Sequence, residues 1–515
     1  MSAGASSHGG FSLRFFSGVT LSVPQPGTQT QPHPLNSVEI AANADYSPRT
    51  LLLELVMRNI ILSYIILSSA FGSAVLQAAP RNVILIIGDG FDDQHVTMGR
   101  NYLSGMSGRL GLDTLPFRAS VQIETVNDEG QPLYVADSAN TATSLATGEI
   151  TNIGRIATDI ADNDLPTIAE RAIEAGWRVG LVTTSSLTDA TPASFLAHVS
   201  SRSCEGPEEV LGSTYYGIPQ PACLSDAKDN GGPGSIVEQL VGSGAHVLLG
   251  GGDKFMQQRT VDGITVYQFA VNQGFRVISR DTAFDSLTAP QRLLGAFDEE
   301  TLEVQWRGTD ARIGEPAELS WLSHISKYFG SVTEPSPMSC EPNPVYQNTP
   351  RLAEMTDLAL SHLATDNEQG FFLMIESASI DKQSHKRNPC GSIGEIAQLE
   401  ESLALVRNFA STHPETAIIV TADHAQAAQI LPEPTLYANY PIAIYSPGLT
   451  ARIRTPEGGM MRINYATNNG FSEEHTGANV PLFANDVAAQ WLSPFMRQRD
   501  VHDAMKRFLL RLEEH

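Results

Sequence analysis

Basic residues are scarce in this 515-residue chain: 33 Lys and Arg stand against 57 Asp and Glu, a formal charge of −24. With no basic field to displace counterions, the composition argues against nucleic acid or an anionic membrane surface as a partner. Charge of either sign is sparse at 17%, while 42% of the residues are hydrophobic. A chain this long and this apolar can bury a large core, which excludes both a disordered protein and a small disulfide-stapled domain. Cysteine is also rare, with four in all. None of the four sits in a Cys-x-x-Cys pair, so a cysteine zinc module is excluded as well.

The first 80 residues do not read like the rest. Residues 1–56 are rich in Ser, Gly, Gln and Pro and show no period, so they are assigned no fold. Met57-Arg58-Asn59 then precedes the apolar run Ile60 to Leu67 and the small-residue stretch Ser68 to Ala74. A basic start, a short apolar core and small residues before a cleavage point read as a signal peptide over 57–79, too short for a comfortable membrane span. The reading is that Met57 starts the exported protein, which is periplasmic or extracellular, with its catalytic domain over 80–515. The first 79 residues carry three basic and three acidic side chains, so the whole −24 belongs to that domain. Export also suits the cysteines, which all lie beyond the signal. The short loop from Cys204 to Cys223 fits a disulfide; of the three possible connectivities, the expectation is Cys204 with Cys223 and Cys340 with Cys390.

From residue 81 onward, apolar β-branched runs alternate with helical stretches. Asn82–Ile87, Arg178–Val182, His246–Leu249, Phe371–Ile375 and Ala417–Val420 are apolar on both faces, as strands of a parallel sheet covered on each side must be. One helix is marked by Asp164 as its cap, Pro166 in its first turn, the stripe Ile168, Ala169, Ala172 and Ile173, and Gly176 at its end. No internal repeat is present. The expected fold is a three-layer α/β/α sandwich around a largely parallel sheet.

In such folds the chemistry lies beyond the carboxyl ends of the strands. Here those ends carry Asp89, Glu376 and the pair Asp423-His424; Asp381 and His385 follow shortly after, and His475 lies near the C-terminus. Carboxylates and imidazoles from separate strands are what a multi-metal site requires: mixed oxygen and nitrogen donors for zinc, all-oxygen donors for magnesium. Asp137-Ser138 opens a small-residue stretch able to form a helix ending near Gly148, which would set the Ser138 hydroxyl at a positive helix N-terminus. No Gly-x-Ser-x-Gly elbow surrounds it, so metal coordination is favoured over a Ser-His-Asp triad as its activator.

Taken together, the motifs Ile87-Gly88-Asp89-Gly90, Asp137-Ser138-Ala139, Asp189-Ala190-Thr191-Pro192-Ala193, Ala197 to Arg202, Glu376 to Gln383 and Thr421-Ala422-Asp423-His424-Ala425 resemble the alkaline phosphatases, the bacterial periplasmic enzymes in particular. The resemblance implies that Asp381, His385 and His475 hold a first zinc. Asp423, His424 and Asp89 would hold a second, with Ser138 as its exchangeable ligand, and Asp89 would bridge to a magnesium held by Thr191 and Glu376. It implies Arg202 as the guanidinium that grips two phosphate oxygens, a bidentate task lysine does poorly. Asp137 would orient Arg202, and Asp189 with Lys382 would organise water around the magnesium and the phosphate. The implied reaction is hydrolysis of small phosphate monoesters through a phosphoserine on Ser138, by a homodimer carrying two Zn²⁺ and one Mg²⁺ per subunit. Ser384 and Gln426 depart from the best-known enterobacterial pattern, which has an acidic residue and a histidine in their places. Two alternatives are a phosphodiesterase of the same superfamily, against which Ser138, Arg202, Thr191 and Glu376 argue, and a non-catalytic phosphate- or metal-binding protein.

Overall fold

The computed structural model describes residues 79–510, apart from 216 and 327, and Met57 alone of the leading segment. The readings of 1–56 as an unfolded extension and of 57–79 as a signal therefore fall almost wholly outside the described residues. The described residues from 79 onward form one compact unit.

Ten strands build its central sheet: β1 (Arg81–Gly88), β2 (Phe117–Gln122), β3 (Arg178–Ser186), β4 (Val247–Gly251), β5 (Arg276–Ile278), β6 (Leu293–Ala296), β7 (Gly370–Ser377), β8 (Thr416–Ala422), β9 (Val480–Ala484) and β10 (Phe495–Arg497). Their order is β10-β2-β9-β8-β1-β7-β3-β4-β6-β5. All pairings are parallel except the two that β9 makes, with β8 and β2. The five runs read from the sequence are the five contiguous strands β8, β1, β7, β3 and β4. Val83 to Ile87 and Phe372 to Ile375 are all fully buried, as strands covered on both faces must be.

The covering helices fall into two groups. One joins α1 (Asp93–Leu103), α4 (Leu352–Ala364), α5 (Ser379–His385) and the 24-residue α6 (Pro389–Thr412), with α6 packed along β1, β7 and β8. The other joins α2 (Ser138–Thr147), α3 (Ile168–Glu174) and α7 (Gln498–Leu510). A separate four-stranded sheet combines Glu315–Pro316, Leu449–Arg454, Met460–Tyr465 and Gln429–Leu431. Disulfides join Cys204 to Cys223 and Cys340 to Cys390, the second tying a peripheral strand to the start of α6. Among the described residues, no helix is long and apolar enough to cross a membrane.

One local expectation is corrected. The cap of α3 is Thr167, not Asp164: the Thr167 hydroxyl accepts the Glu170 N–H, and the Glu170 carboxylate accepts the Thr167 N–H. Pro166 consequently precedes the helix rather than occupying its first turn. The reciprocal bonds of a Thr-x-x-Glu box satisfy two orphan amides at once, which a single upstream carboxylate cannot match. Thr167 also donates to the Phe195 carbonyl at 2.6 Å, whereas Asp164 is exposed. Thr167→Ala is therefore expected to cost about 1–2 kcal/mol in denaturant unfolding and Asp164→Ala less than about 0.5 kcal/mol. Equal effects would contradict this placement of the cap.

Candidate active site

Parallel pairing in register sets three strand ends side by side. Ile87 of β1 aligns with Glu376 of β7, and Gly88 aligns with both Ser377 of β7 and Ala422 of β8. The next residues, Asp89 and Asp423, thus emerge from adjacent strands beside Glu376, and all three side chains are buried. The turn after Asp89 requires Gly90, whose φ is +67° and whose missing Cβ would lie 3.0 Å from the Cβ atoms of Asp381 and Gln426. A side chain there would push into the cluster.

Asp423 Oδ1 is anchored by the N–H groups of Gly90 at 3.0 Å and His424 at 2.8 Å. Its Oδ2, like Asp89 Oδ1, is buried with no hydrogen-bond partner, and each lies 3.4 Å from His424 Nε2. Ser138 Oγ is 3.1 Å from the same nitrogen. Ser138 is the first residue of α2, and Asp137 is its cap, accepting from the Asn140 N–H while the Asn140 side chain accepts from the Asp137 N–H. The serine hydroxyl is thereby spared a capping role and faces the cluster.

Asp381 and His385 lie one turn apart on α5, so both fall on one face. His475 arrives from 90 residues further on through a two-residue antiparallel pairing in which it stands opposite Gln426. Asp381 Oδ2 is 3.3 Å from His385 Nε2, Asp381 Oδ1 is 3.4 Å from His475 Nε2, and the two Nε2 atoms are 3.1 Å apart. The Nδ1–H of each imidazole is committed elsewhere: His475 donates to the Ala136 carbonyl at 2.8 Å, His424 to that of Ala425 at 3.2 Å, and His385 to that of Glu473. The nitrogens left to face the cluster are all Nε2, the tautomer a metal ligand needs.

Arg202 is held at both ends. One terminal nitrogen donates to Asp137 at 3.3 Å and the other to Asp189 at 2.8 Å, while the second oxygen of Asp189 pairs with the Lys382 ammonium. Asp189 thus serves the arginine as well as the lysine, which sequence reasoning did not anticipate. Thr191 follows Asp189 on a short helical turn, with its hydroxyl buried and unpartnered. The structure does not join Thr191 to Glu376 directly; Glu376 accepts from Thr183 at 2.5 Å.

Electrostatics follows from this crowding. Burial, then the neighbouring Asp423, Asp381 and Glu376, hold the Asp89 carboxyl well above its ordinary pKa. Burial and Asp189 push Glu376 up to about 8, and burial pushes Asp423 to about 6. Asp381 goes the other way: burial raises it, but His385 and His475 outweigh this and hold it well below the usual carboxylate range. Burial and the adjacent His475 depress His424, whereas Asp381 overcomes burial to raise His475. Two sets of donors come within 4.8 Å of one another, Asp381 with His424 and His475, and Asp89 with Asp423 and His424. Converging, buried oxygen and nitrogen donors, with Asp89 Oδ1 and Asp423 Oδ2 lacking any hydrogen-bond partner, fit divalent cations in chemistry and in charge.

Several contributors were missed from sequence. Thr183 lies one residue beyond the run read as a strand, and Gln498 donates to the Asp423 carbonyl at 2.5 Å from a helix at the far end of the chain. Arg387, two residues past His385, makes a buried pair with Glu473 at 2.6 Å and so fixes the loop whose carbonyl orients His385.

A family model described as alkaline phosphatase matches residues 80–444. The chain is 37% identical to the alkaline phosphatase of Escherichia coli K12 over 449 residues, 85% of this chain and 88% of that protein. It is 38% identical to streptomycin-6-phosphate phosphatase of Streptomyces griseus over 80% of this chain and 86% of that one, and 36% identical to alkaline phosphatase H of Pseudomonas aeruginosa over 86% and 88%. The solved alkaline phosphatase of the Antarctic bacterium TAB5 is similar in fold, with a TM-score of 0.58 at 20% identity over 85% of this chain and 99% of that one. The Thermus thermophilus enzyme gives the same TM-score over 86% and 95%.

Two outcomes test the site. In metal-stripped protein, the raised carboxyls keep protons that the unfolded chain releases above pH about 4. The native state then binds more protons than the unfolded one, so stability falls as pH rises from about 4 through Glu376 at about 8. Thermal unfolding in chelator should show this decline, and excess zinc with magnesium should abolish it; a flat metal-free profile would contradict it. Gln426 donates to Asp381 Oδ1 at 2.5 Å, so Gln426→His should change metal affinity or the pH profile while retaining turnover. Metal titration leaving both unchanged would refute this.

Proposed function

Since the chain belongs to the alkaline phosphatase family, and is therefore a phosphoric monoester hydrolase that works with metal cofactors, we propose that it acts through a phosphoserine on Ser138. We assign two Zn²⁺, one at Asp381, His385 and His475 and one at Asp89, Asp423 and His424, and one Mg²⁺ at Thr191, Glu376 and Asp89. The observation that carries this reading is the pair of buried, unpartnered oxygens, Asp89 Oδ1 and Asp423 Oδ2, that share His424 Nε2 as a neighbour with the Ser138 hydroxyl. When bound, the ions would supply the Lewis acidity that lowers the pKa of serine and water and stabilises the attacking and leaving oxygens.

The residues of the chain do the rest. Arg202, pinned by Asp137 and Asp189, presents its guanidinium to two non-bridging oxygens of the ester dianion. The N-terminus of α2 adds a positive field where the phosphoryl charge settles. Ser138 Oγ gives up its proton and attacks phosphorus in line, the bond to the ester oxygen breaks on the opposite side, and the leaving alkoxide takes a proton from water to depart as the alcohol. Water then attacks the phosphoserine from the vacated side, Ser138 Oγ leaves, and inorganic phosphate is released. Two inversions give net retention at phosphorus. Lys382 and Asp189, paired with each other, would organise water around the phosphate and a bound magnesium.

Export to the periplasm or extracellular space and a homodimer are part of the same proposal, supported by the family and by the two disulfides. The experiment is hydrolysis of p-nitrophenyl phosphate at alkaline pH. Ser138→Ala should lower kcat by about 1,000-fold or more, and Arg202→Ala should lower kcat/KM by about 10- to 100-fold, with Arg202→Lys recovering only part. Turnover surviving in Ser138→Ala would overturn the phosphoserine route, and metal-loaded protein without turnover would favour the non-catalytic binder.

A further inference from the structure

Behind the metal-ligand cluster runs a buried chain of hydrogen bonds that the reaction does not use. Asp92 caps α1, its Oδ1 accepting the N–H groups of Gln94 at 2.9 Å and His95 at 3.1 Å. The same oxygen accepts the His95 Nδ1–H at 2.8 Å, and His95 Nε2 lies 2.9 Å from Ser384 Oγ. His95 and Ser384 are wholly buried, and Asp92 is only 6% exposed. With Nδ1–H committed to Asp92, Nε2 accepts from the Ser384 hydroxyl. Ser384 Oγ also lies 2.9 Å from the Ile380 carbonyl, but that carbonyl accepts the Ser392 hydroxyl at 3.0 Å, which frees the Ser384 proton for His95. Both ring nitrogens of His95 and both serine hydroxyls are then partnered.

Serine, imidazole and carboxylate in this order would activate a nucleophile at a surface. Burial closes Ser384 to any substrate, so what the three residues connect decides their role. At one end, Asp92 follows Asp89 by three residues. At the other, Ser384 immediately precedes His385 on α5, the helix whose neighbouring face presents Asp381 and His385. A helix of seven residues has little stability of its own, so its roll is set by what it is bonded to. Ser384 stands where the resemblance places an acidic residue, and in this chain the carboxylate lies two hydrogen bonds away, at Asp92.

We propose that His95, held by Asp92, is a positioning residue that fixes the roll of α5 through Ser384 and so aims Asp381 and His385 at a divalent cation. The proposal rests on the metal assignment above. It is tested on the metal-stripped full chain by titrating zinc in competition with a chromogenic chelator, beside thermal unfolding. Ser384→Ala and His95→Phe should each weaken one class of zinc site about 10-fold or more and leave the other within about twofold. The double variant should be no worse than the worse single one, because both cut the same link. Asp92→Asn, which keeps the helix cap, should weaken the same class and stands in if His95→Phe does not fold. Zinc affinities in Ser384→Ala within about twofold of wild type overturn the proposal, whatever happens to the melting temperature. Equal weakening of both classes overturns it too, since that marks a general loss of fold. Wild-type chain that binds no zinc removes the metal assignment as well; wild-type binding matched by the variants removes this inference alone.

Discussion

Repulsion among buried carboxylates is the constraint on which the rest of the structure turns. Asp89, Glu376 and Asp423 stand at the ends of three adjacent parallel strands, and Asp381 faces them from α5. Water is excluded, so a negative charge on each would be prohibitively costly without compensation. The nearby ammonium and guanidinium are already shared with Asp189 and Asp137. The chain therefore either protonates these acids, as the raised pKa values of Asp89, Glu376 and Asp423 express, or holds divalent cations among them. The imidazole tautomers suit the second: with each Nδ1–H given to a backbone carbonyl, His385, His424 and His475 turn Nε2 toward the carboxylates, the atom by which an imidazole ligates a cation.

That constraint is met by a scaffold that fixes each group through burial and hydrogen bonds. The parallel register of β1, β7 and β8 is fixed by continuous apolar burial, and a slip of one residue would turn Asp89 or Glu376 to the other face. Gly90 lets the first strand end turn tightly against Asp381 and Gln426. Backbone carbonyls of Ala136, Ala425 and Glu473 set the three rings, and Arg387 in turn sets the loop that carries Glu473. Precision is inherited outward from the strands.

The central five strands were legible because burial on both faces leaves an unbroken apolar run. The flanking five were not, each for a physical reason. β2 alternates in burial, β5 and β10 have three residues each, β6 contains Gly295, and β9 contains Pro481, an ordinary argument against a strand. The strand-end acids could be read as candidate ligands from their positions alone. His475 could not, because nothing local reveals that a two-residue pairing with Gln426 carries it to the cluster; its role came with the resemblance. The true cap of α3 was in plain view as Thr167-Ile168-Ala169-Glu170, and the more distant Asp164 was read in its place.

The charge of −24 bears on the substrate only through such local arrangements. Arg202 is 35% exposed at its side chain, yet both of its terminal nitrogens are bound to carboxylates before any ester arrives. Those bonds offset part of its positive field, and they also remove its freedom. A long side chain that must be ordered on binding costs about 0.5–1.5 kcal/mol, and here that ordering is complete in the free protein. The two aspartates are therefore not competitors of the phosphate. They trade some attraction for a guanidinium already aimed, which suits the grip on phosphoryl oxygens proposed for Arg202. The acidic exterior remains a solvated surface, and the sign of the cleft is decided by a handful of groups inside it.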